Sequence, residues 1–149
     1  MKIPEKLFVV INKIVRVILK SPLHGIMSGS FMLMNYRGRK SGKAFSTPVR
    51  YMRTDNGVRV YTAEHTQWWK NMLSGTEVSL IIAGTTETFR PSVYDRDPAN
   101  NRELLIEFLT LYPQDAAYQD IRLNKDGSLN EADLDAAAQK SIVVEFFRL

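Results

Sequence analysis

Apolar residues recur at helical spacing near the N-terminus and at strand spacing through most of the chain that follows. Over Ile3 to Lys20, Leu7, Val10, Ile11, Ile14, Val17 and Ile18 fall on one side of a helix, with Lys6, Lys13, Arg16 and Lys20 elsewhere on the wheel. The charges leave no uncharged run long enough to span a membrane. Ser21-Pro22-Leu23-His24 offers no small-residue cleavage site for a signal peptide, and Ser21-Pro22 ends the segment. Residues 1–21 therefore read as an amphipathic basic helix. It caps the domain, packs in a dimer interface or docks on an anionic bilayer.

Beyond it the period changes to two. Phe31 to Tyr36 reads as a first strand, and Phe45 to Arg53 as its antiparallel partner across a basic hairpin. Pro48 supplies no ladder N–H, which puts the second strand at an edge, a bulge or a ligand-facing position. Thr54-Asp55-Asn56-Gly57 is a turn, and Val58 to Thr62 returns as a third strand. Thr66 to Leu73 fits a two-turn helix with a Thr N-cap and a stop at Gly75. Glu77 to Ala83 and Thr85 to Tyr94 follow as fourth and fifth strands, the latter with a polar rim that reads as an exposed edge. Asp97-Pro98 opens a helix through Leu111, with Leu104, Leu105, Phe108 and Leu109 on its buried side. Ser141 to Leu149 closes the chain as a sixth strand. Six strands without βαβ alternation predict one domain over residues 1–149, a small antiparallel barrel with added helices, mainly β in the α+β class.

The 149 residues suffice for one real core, and composition then removes whole classes of chemistry. Cys is absent, which excludes thiolate catalysis and zinc-thiolate sites, and a cytoplasmic location is the expectation. His24 and His65 are too few for an all-imidazole metal site. Asn124 to Asn130 imitates the middle of a calcium loop, but Gly127 at its sixth position puts Arg122 where the metal demands a carboxylate. That segment reads instead as a turn leading into an N-capped helix, Glu131 to Gln139. A net charge of +4 and a pI near 9.4 favour anionic partners. No nucleic-acid motif or basic-aromatic interleaving accompanies them, so nucleic acid is not expected.

The positive charge is concentrated. Arg37, Arg39, Lys40 and Lys43 lie within seven residues around Gly38-Arg39-Lys40-Ser41-Gly42-Lys43, between two strands. Glycines let the backbone turn and expose its N–H groups, and the cations add charge-assisted donors, a combination that suits a phosphate or carboxylate. The glycine spacing is not that of a P-loop, and no helix follows as a dinucleotide loop requires. A solvated hairpin turn is the plain alternative.

The order of this loop, Thr47-Pro48-Val49 with Tyr51, and Trp68-Trp69-Lys70-Asn71-Met72 before a strand resembles the deazaflavin-dependent nitroreductase family. The resemblance runs from about Asn12 to Leu149, and the segments Ser21 to Gly25 and Asp126-Gly127 are similar too. It implies a six-stranded split β-barrel related to the flavin-mononucleotide and pyridoxamine-phosphate oxidase barrels. It also implies coenzyme F-420, a deazaflavin with a phosphodiester and an acidic tail. On that resemblance Arg39, Lys40, Ser41 and Gly42 hold the phosphate or tail, with Lys43 peripheral. Thr47, Pro48 and Val49 line the ring, Ala63 and Glu64 meet it from the third strand, and Trp68, Trp69 and Asn71 shape the wall. Core packing is the competing role for the tryptophans, and a structural hydrogen bond for Asn71.

The chain departs from better characterised members in the connection Glu64-His65-Thr66-Gln67, which is shorter, and Glu64 disfavours an anionic ring if it points inward. The implied activity is hydride transfer from reduced F-420 to a quinone, nitro compound or other electron-poor acceptor. The proton comes from solvent rather than from Tyr36, Tyr51 or His65. Such barrels pair as homodimers, and the basic helix would bring this one to a membrane holding lipid quinones. The alternatives are a flavin mononucleotide enzyme, or a non-catalytic barrel that sequesters a flavin, haem or lipid.

Overall fold

The computed structural model describes residues 31–94 and 97–149. The expected N-terminal helix and the Ser21 to Gly25 segment lie outside them. Seven strands form one antiparallel sheet: β1 (Phe31–Arg37), β2 (Ala44–Arg50), β3 (Met52–Thr54), β4 (Gly57–Ala63), β5 (Val78–Ile82), β6 (Thr85–Val93) and β7 (Ser141–Arg148). Their order is β2-β1-β5-β6-β7-β4-β3. The two end strands are consecutive in sequence, with Tyr51 alone between them. A sheet whose ends are joined by one residue has to curl until they meet, and this makes the barrel.

That junction corrects the expected single strand from Phe45 to Arg53. Its first half pairs with β1 and its second half with β4, at opposite ends of the sheet, so the chain bends at Tyr51, which is buried. Pro48 lies in the end strand β2, opposite Leu33. The hairpin closes on Gly38 N–H donating to Lys43 C=O (2.9 Å), and alternating from that pair turns the Pro48 nitrogen away from β1. No ladder bond is lost there.

A second expectation also changes. Thr85 to Tyr94 is not an edge: β6 pairs with β5 on one side and β7 on the other. Its exposed Thr86 and Thr88 mark a wet face, while Phe89 is fully buried on the other. A wet face and an open edge leave the same alternation in sequence.

Two apolar clusters follow from the period of two. Met32, Met34, Val58, Val60, Leu80, Phe89, Ile142, Val144 and Phe146 fill the barrel interior. Tyr61 and Val143 face outward and are covered by Leu105, Phe108 and Leu109 of α1 (Pro98–Leu111) and Leu134, Ala137 and Ala138 of α2 (Glu131–Lys140). β7 is thus buried on both faces, which is why Ile142 to Phe146 reads as a nearly unbroken apolar run. Each such side chain contributes about 1.5–3 kcal/mol on burial.

The helices begin where capping chemistry dictates. Asp97 accepts from Ala99 N–H with Pro98 in the first turn, and Asn130 accepts from Asp133 N–H at 3.0 Å. Between the sheet and α1 lies a charged group: Glu145, buried, accepts from Arg59 Nε (2.8 Å) and from the Tyr94 hydroxyl (3.0 Å). Gly57 lets β4 pass close beside β7, since a Cβ there would sit 1.8 Å from the Phe146 carbonyl oxygen.

Candidate functional site

Antiparallel pairing runs from β1 through β5, β6 and β7 to β4 in four steps, so β1 and β4 point the same way. Arg37 and Ala63 therefore finish at the same end of the barrel. The basic hairpin, the Glu64 to Gln67 connection and the tryptophan segment all gather there.

The hairpin is built by its own backbone. Gly42 N–H donates to Gly38 C=O (2.9 Å), Arg37 Nη1 donates to Gly42 C=O (3.0 Å), and Lys43 N–H donates to Ser41 Oγ (3.2 Å). Gly42 has φ +68, the left-handed region. The side chains of Arg39, Lys40 and Lys43 are exposed and meet no acidic group among the described residues. The backbone N–H groups of Lys40 and Ser41 make no hydrogen bond there either. Unneutralised cations beside free amide donors are what an anion requires.

The tryptophan segment is a 3-10 turn, Trp68–Met72, rather than the expected two-turn helix. Thr66 is not its cap: its hydroxyl donates to Ala63 C=O (2.9 Å) and bonds Thr62 Oγ1 (2.8 Å), which ties the connection to the end of β4. Gly75 ends the segment as expected, in the left-handed region with its N–H donating to Met72 C=O. Met72 is buried, and Trp68 and Trp69 are half-buried against the interior cluster. The Trp69 indole N–H is buried without an acceptor among the described residues. Asn71 Oδ1 accepts from the Arg39 backbone N–H at 2.8 Å, and its Nδ2 donates to Trp68 C=O at 3.1 Å. The hairpin and the tryptophan turn thereby become one unit.

The remaining expected residues divide. In register with Met34 and Met32, Thr47 and Val49 share the inner face of β2; Val49 packs on the interior cluster, and Thr47 Oγ1 lies 3.4 Å from the Tyr36 hydroxyl. Pro48 faces the opposite side. Ala63 pairs with Ser141, and Glu64 is exposed with its N–H donating to Lys140 C=O. Of the groups weighed as proton donors, His65 is exposed. Tyr51 is enclosed by the core, and burial pushes its hydroxyl above the usual phenol range.

A groove of about 740 Å³ opens at this same end. Arg39 and Asn71 are the two expected residues that line it; Thr47 to Val49, Ala63, Glu64 and the tryptophans do not. Its lining also includes Tyr36, weighed above only as a proton donor, and residues of β2 and β5 that were not anticipated. Tyr36 and Phe45 stack across the hairpin with ring centres 5.6 Å apart and planes at 22°. Asn35, Ser46 and Ser79 form a polar row across β2, β1 and β5, with the Ser46 hydroxyl donating to Asn35 Oδ1 at 2.6 Å. Asn35 and Ser79, polar residues within apolar strands, were the available signal, and only the register aligns them with Ser46.

No protein-family model and no curated protein matches the sequence. Solved structures do match. An F-420 reductase is similar at 14% identity, with TM-score 0.51 and coverage of 90% of this chain and 92% of the other. A Clostridium acetobutylicum protein related to general stress protein 26, of the pyridoxinephosphate oxidase family, is similar at 11% identity, TM-score 0.50, covering 89% and 84%. A flavocytochrome from Azotobacter vinelandii is similar at 14% identity, TM-score 0.52, covering 91% of this chain and 63% of that one. The fold is a split β-barrel of the pyridoxine-phosphate-oxidase type, as the sequence led us to expect, with seven strands among the described residues in place of six.

Proposed function

We propose that the protein binds a phosphorylated, flavin-type redox cofactor at the hairpin end of the barrel and reduces an electron-poor acceptor, a quinone or a nitroaromatic. The observation that carries this reading is the hairpin itself: three unneutralised cations and two free backbone donors, fixed to a turn that holds both tryptophans of the chain. Coenzyme F-420 is the first choice, supported by the family resemblance and by a fold shared with an F-420 reductase. Flavin mononucleotide is the second, supported by the fold shared with a flavocytochrome.

The residues present fit such a group. Arg39, Lys40, Lys43 and the amides of Lys40 and Ser41 would hold its phosphate through charge-assisted hydrogen bonds. Tyr36 and Phe45, stacked where they line the groove, offer a flat apolar surface to a ring, and the turn latched to the hairpin carries a buried, unpartnered donor in the Trp69 N–H. Glu64 is exposed, and its backbone N–H donates to Lys140 C=O at the end of α2. The bound cofactor, once reduced, supplies the hydride. The chain then has only to orient two planar partners and exclude water, so this chemistry needs no nucleophile-and-base pair.

Tryptophan emission during titration with F-420, flavin mononucleotide and haem tests the reading. One ligand should quench saturably, and Lys40→Ala with Lys43→Ala should weaken its binding and flatten its dependence on salt. Quenching by none of the three removes the cofactor. Saturable binding without turnover of any quinone or nitro acceptor makes the barrel a sequestering protein instead.

A further inference from the structure

Among the described residues, one hydrogen bond leaves the tip of the basic hairpin for the rest of the molecule: Arg39 N–H to Asn71 Oδ1, at 2.8 Å across 32 residues of sequence. Every other hydrogen bond of residues 38–43 stays within the hairpin or ties it to Arg37. Asn71 is in turn held from both sides. Its Nδ2 donates to Trp68 C=O, and its neighbour Met72 is anchored in the barrel interior with 1% exposure. We propose that Asn71 is a positioning residue, a latch that fixes the anion-binding hairpin against the tryptophan turn and is not itself a ligand contact.

The chemistry of the residue supports this. A carboxamide offers one acceptor and one donor group at the same reach. The acceptor serves the Arg39 amide and a donor serves the Trp68 carbonyl. Aspartate would keep the first and lose the second, and alanine would lose both. With Arg39 N–H pinned, the next two amides, those of Lys40 and Ser41, are presented free and in fixed directions. A hairpin that does not have to order itself captures an anion more tightly. The role rests on the reading of the hairpin as an anion site, and the experiment separates the two.

Amide hydrogen exchange by NMR on the full chain, with and without inorganic pyrophosphate, provides the test. In the unsubstituted protein the Arg39 amide should be protected relative to Lys40 and Ser41, and pyrophosphate should shift the hairpin resonances. Asn71→Ala should speed Arg39 exchange about tenfold and weaken pyrophosphate binding about two- to tenfold, the range one hydrogen bond covers, while Val144 stays protected. Asn71→Asp should keep Arg39 protected yet weaken pyrophosphate, because it retains the acceptor and adds a like charge for the anion. General loss of structure cannot produce that split. Equal pyrophosphate binding in Asn71→Ala overturns the latch and leaves the anion site standing. No pyrophosphate response in the unsubstituted protein overturns both the anion site and the latch's role in it.

Discussion

Replacing Gly42 by alanine isolates the conformation of the basic hairpin from its chemistry. Gly42 has φ +68, and a Cβ added there would meet nothing within 4 Å, so the substitution introduces no clash. Left-handed backbone costs an L-residue about 1–2 kcal/mol. Alanine recovers about 0.4–1 kcal/mol by narrowing the unfolded ensemble. The strain wins over most of that range, and Gly42→Ala should destabilise by up to about 1.6 kcal/mol. In a chain of this size that lowers the melting temperature by about 2–4 °C per kcal/mol. The tip can escape the strain by giving up Gly42 N–H to Gly38 C=O and Arg37 Nη1 to Gly42 C=O. Stability would then hold while anion binding falls. Gly42→Asn should come closer to the parent on both measures, since asparagine tolerates this region. Urea unfolding and cofactor titration of the three proteins together provide the assay. An alanine variant unchanged in both, or an asparagine variant as damaged as alanine, refutes the reasoning. Gly57→Ala is the contrasting case: its Cβ would lie 1.8 Å from backbone, and a cost at or above about 3 kcal/mol is expected.

The charged group beneath α1 gives two further expectations. Arg59→Met leaves the Glu145 carboxylate, 4% exposed, with Tyr94 but without its cationic donor, and should cost about 3–5 kcal/mol in urea unfolding. Combining Arg59→Met with Glu145→Met should recover most of that loss, and a double variant no better than the single one refutes the assignment. Burial holds the hydroxyls of Tyr61 and Tyr94 above the usual phenol range; Arg59 opposes the shift at both, and Glu145 reinforces it most directly at Tyr94. A phenol kept protonated by the fold stabilises it fully below the ordinary pKa of about 10, and that contribution is lost as pH rises through the raised value. Absorbance titration should show these two tyrosines ionising later in the native protein than in denaturant. Unfolding midpoints should fall above about pH 10, less steeply in Tyr61→Phe and Tyr94→Phe.

What the sequence revealed, and what it hid, divides along the range of the interactions involved. Asp97-Pro98 and Asn130 announced their helices because a cap is satisfied within three residues. The hairpin around Gly38 and Gly42 was legible for the same reason. The bend at Tyr51 was not, since nothing between Phe45 and Arg53 records that one half finds β1 and the other β4; that is decided by strands on both sides of it. The Glu64 to Gln67 connection, short beside the family that the sequence resembles, carried Glu64 as a threat to an anionic ring. In the fold it is a brace: Thr66 grips Ala63 and Thr62, and Glu64 N–H grips the end of α2. A longer loop in this place would leave the tryptophan turn hanging from β4 by a flexible tether. The short one fixes it from that side while Asn71 fixes the hairpin to it. The short connection therefore sets how firmly the tryptophan turn is held, and the groove lies between the hairpin, Asn71 of that turn and the start of β5.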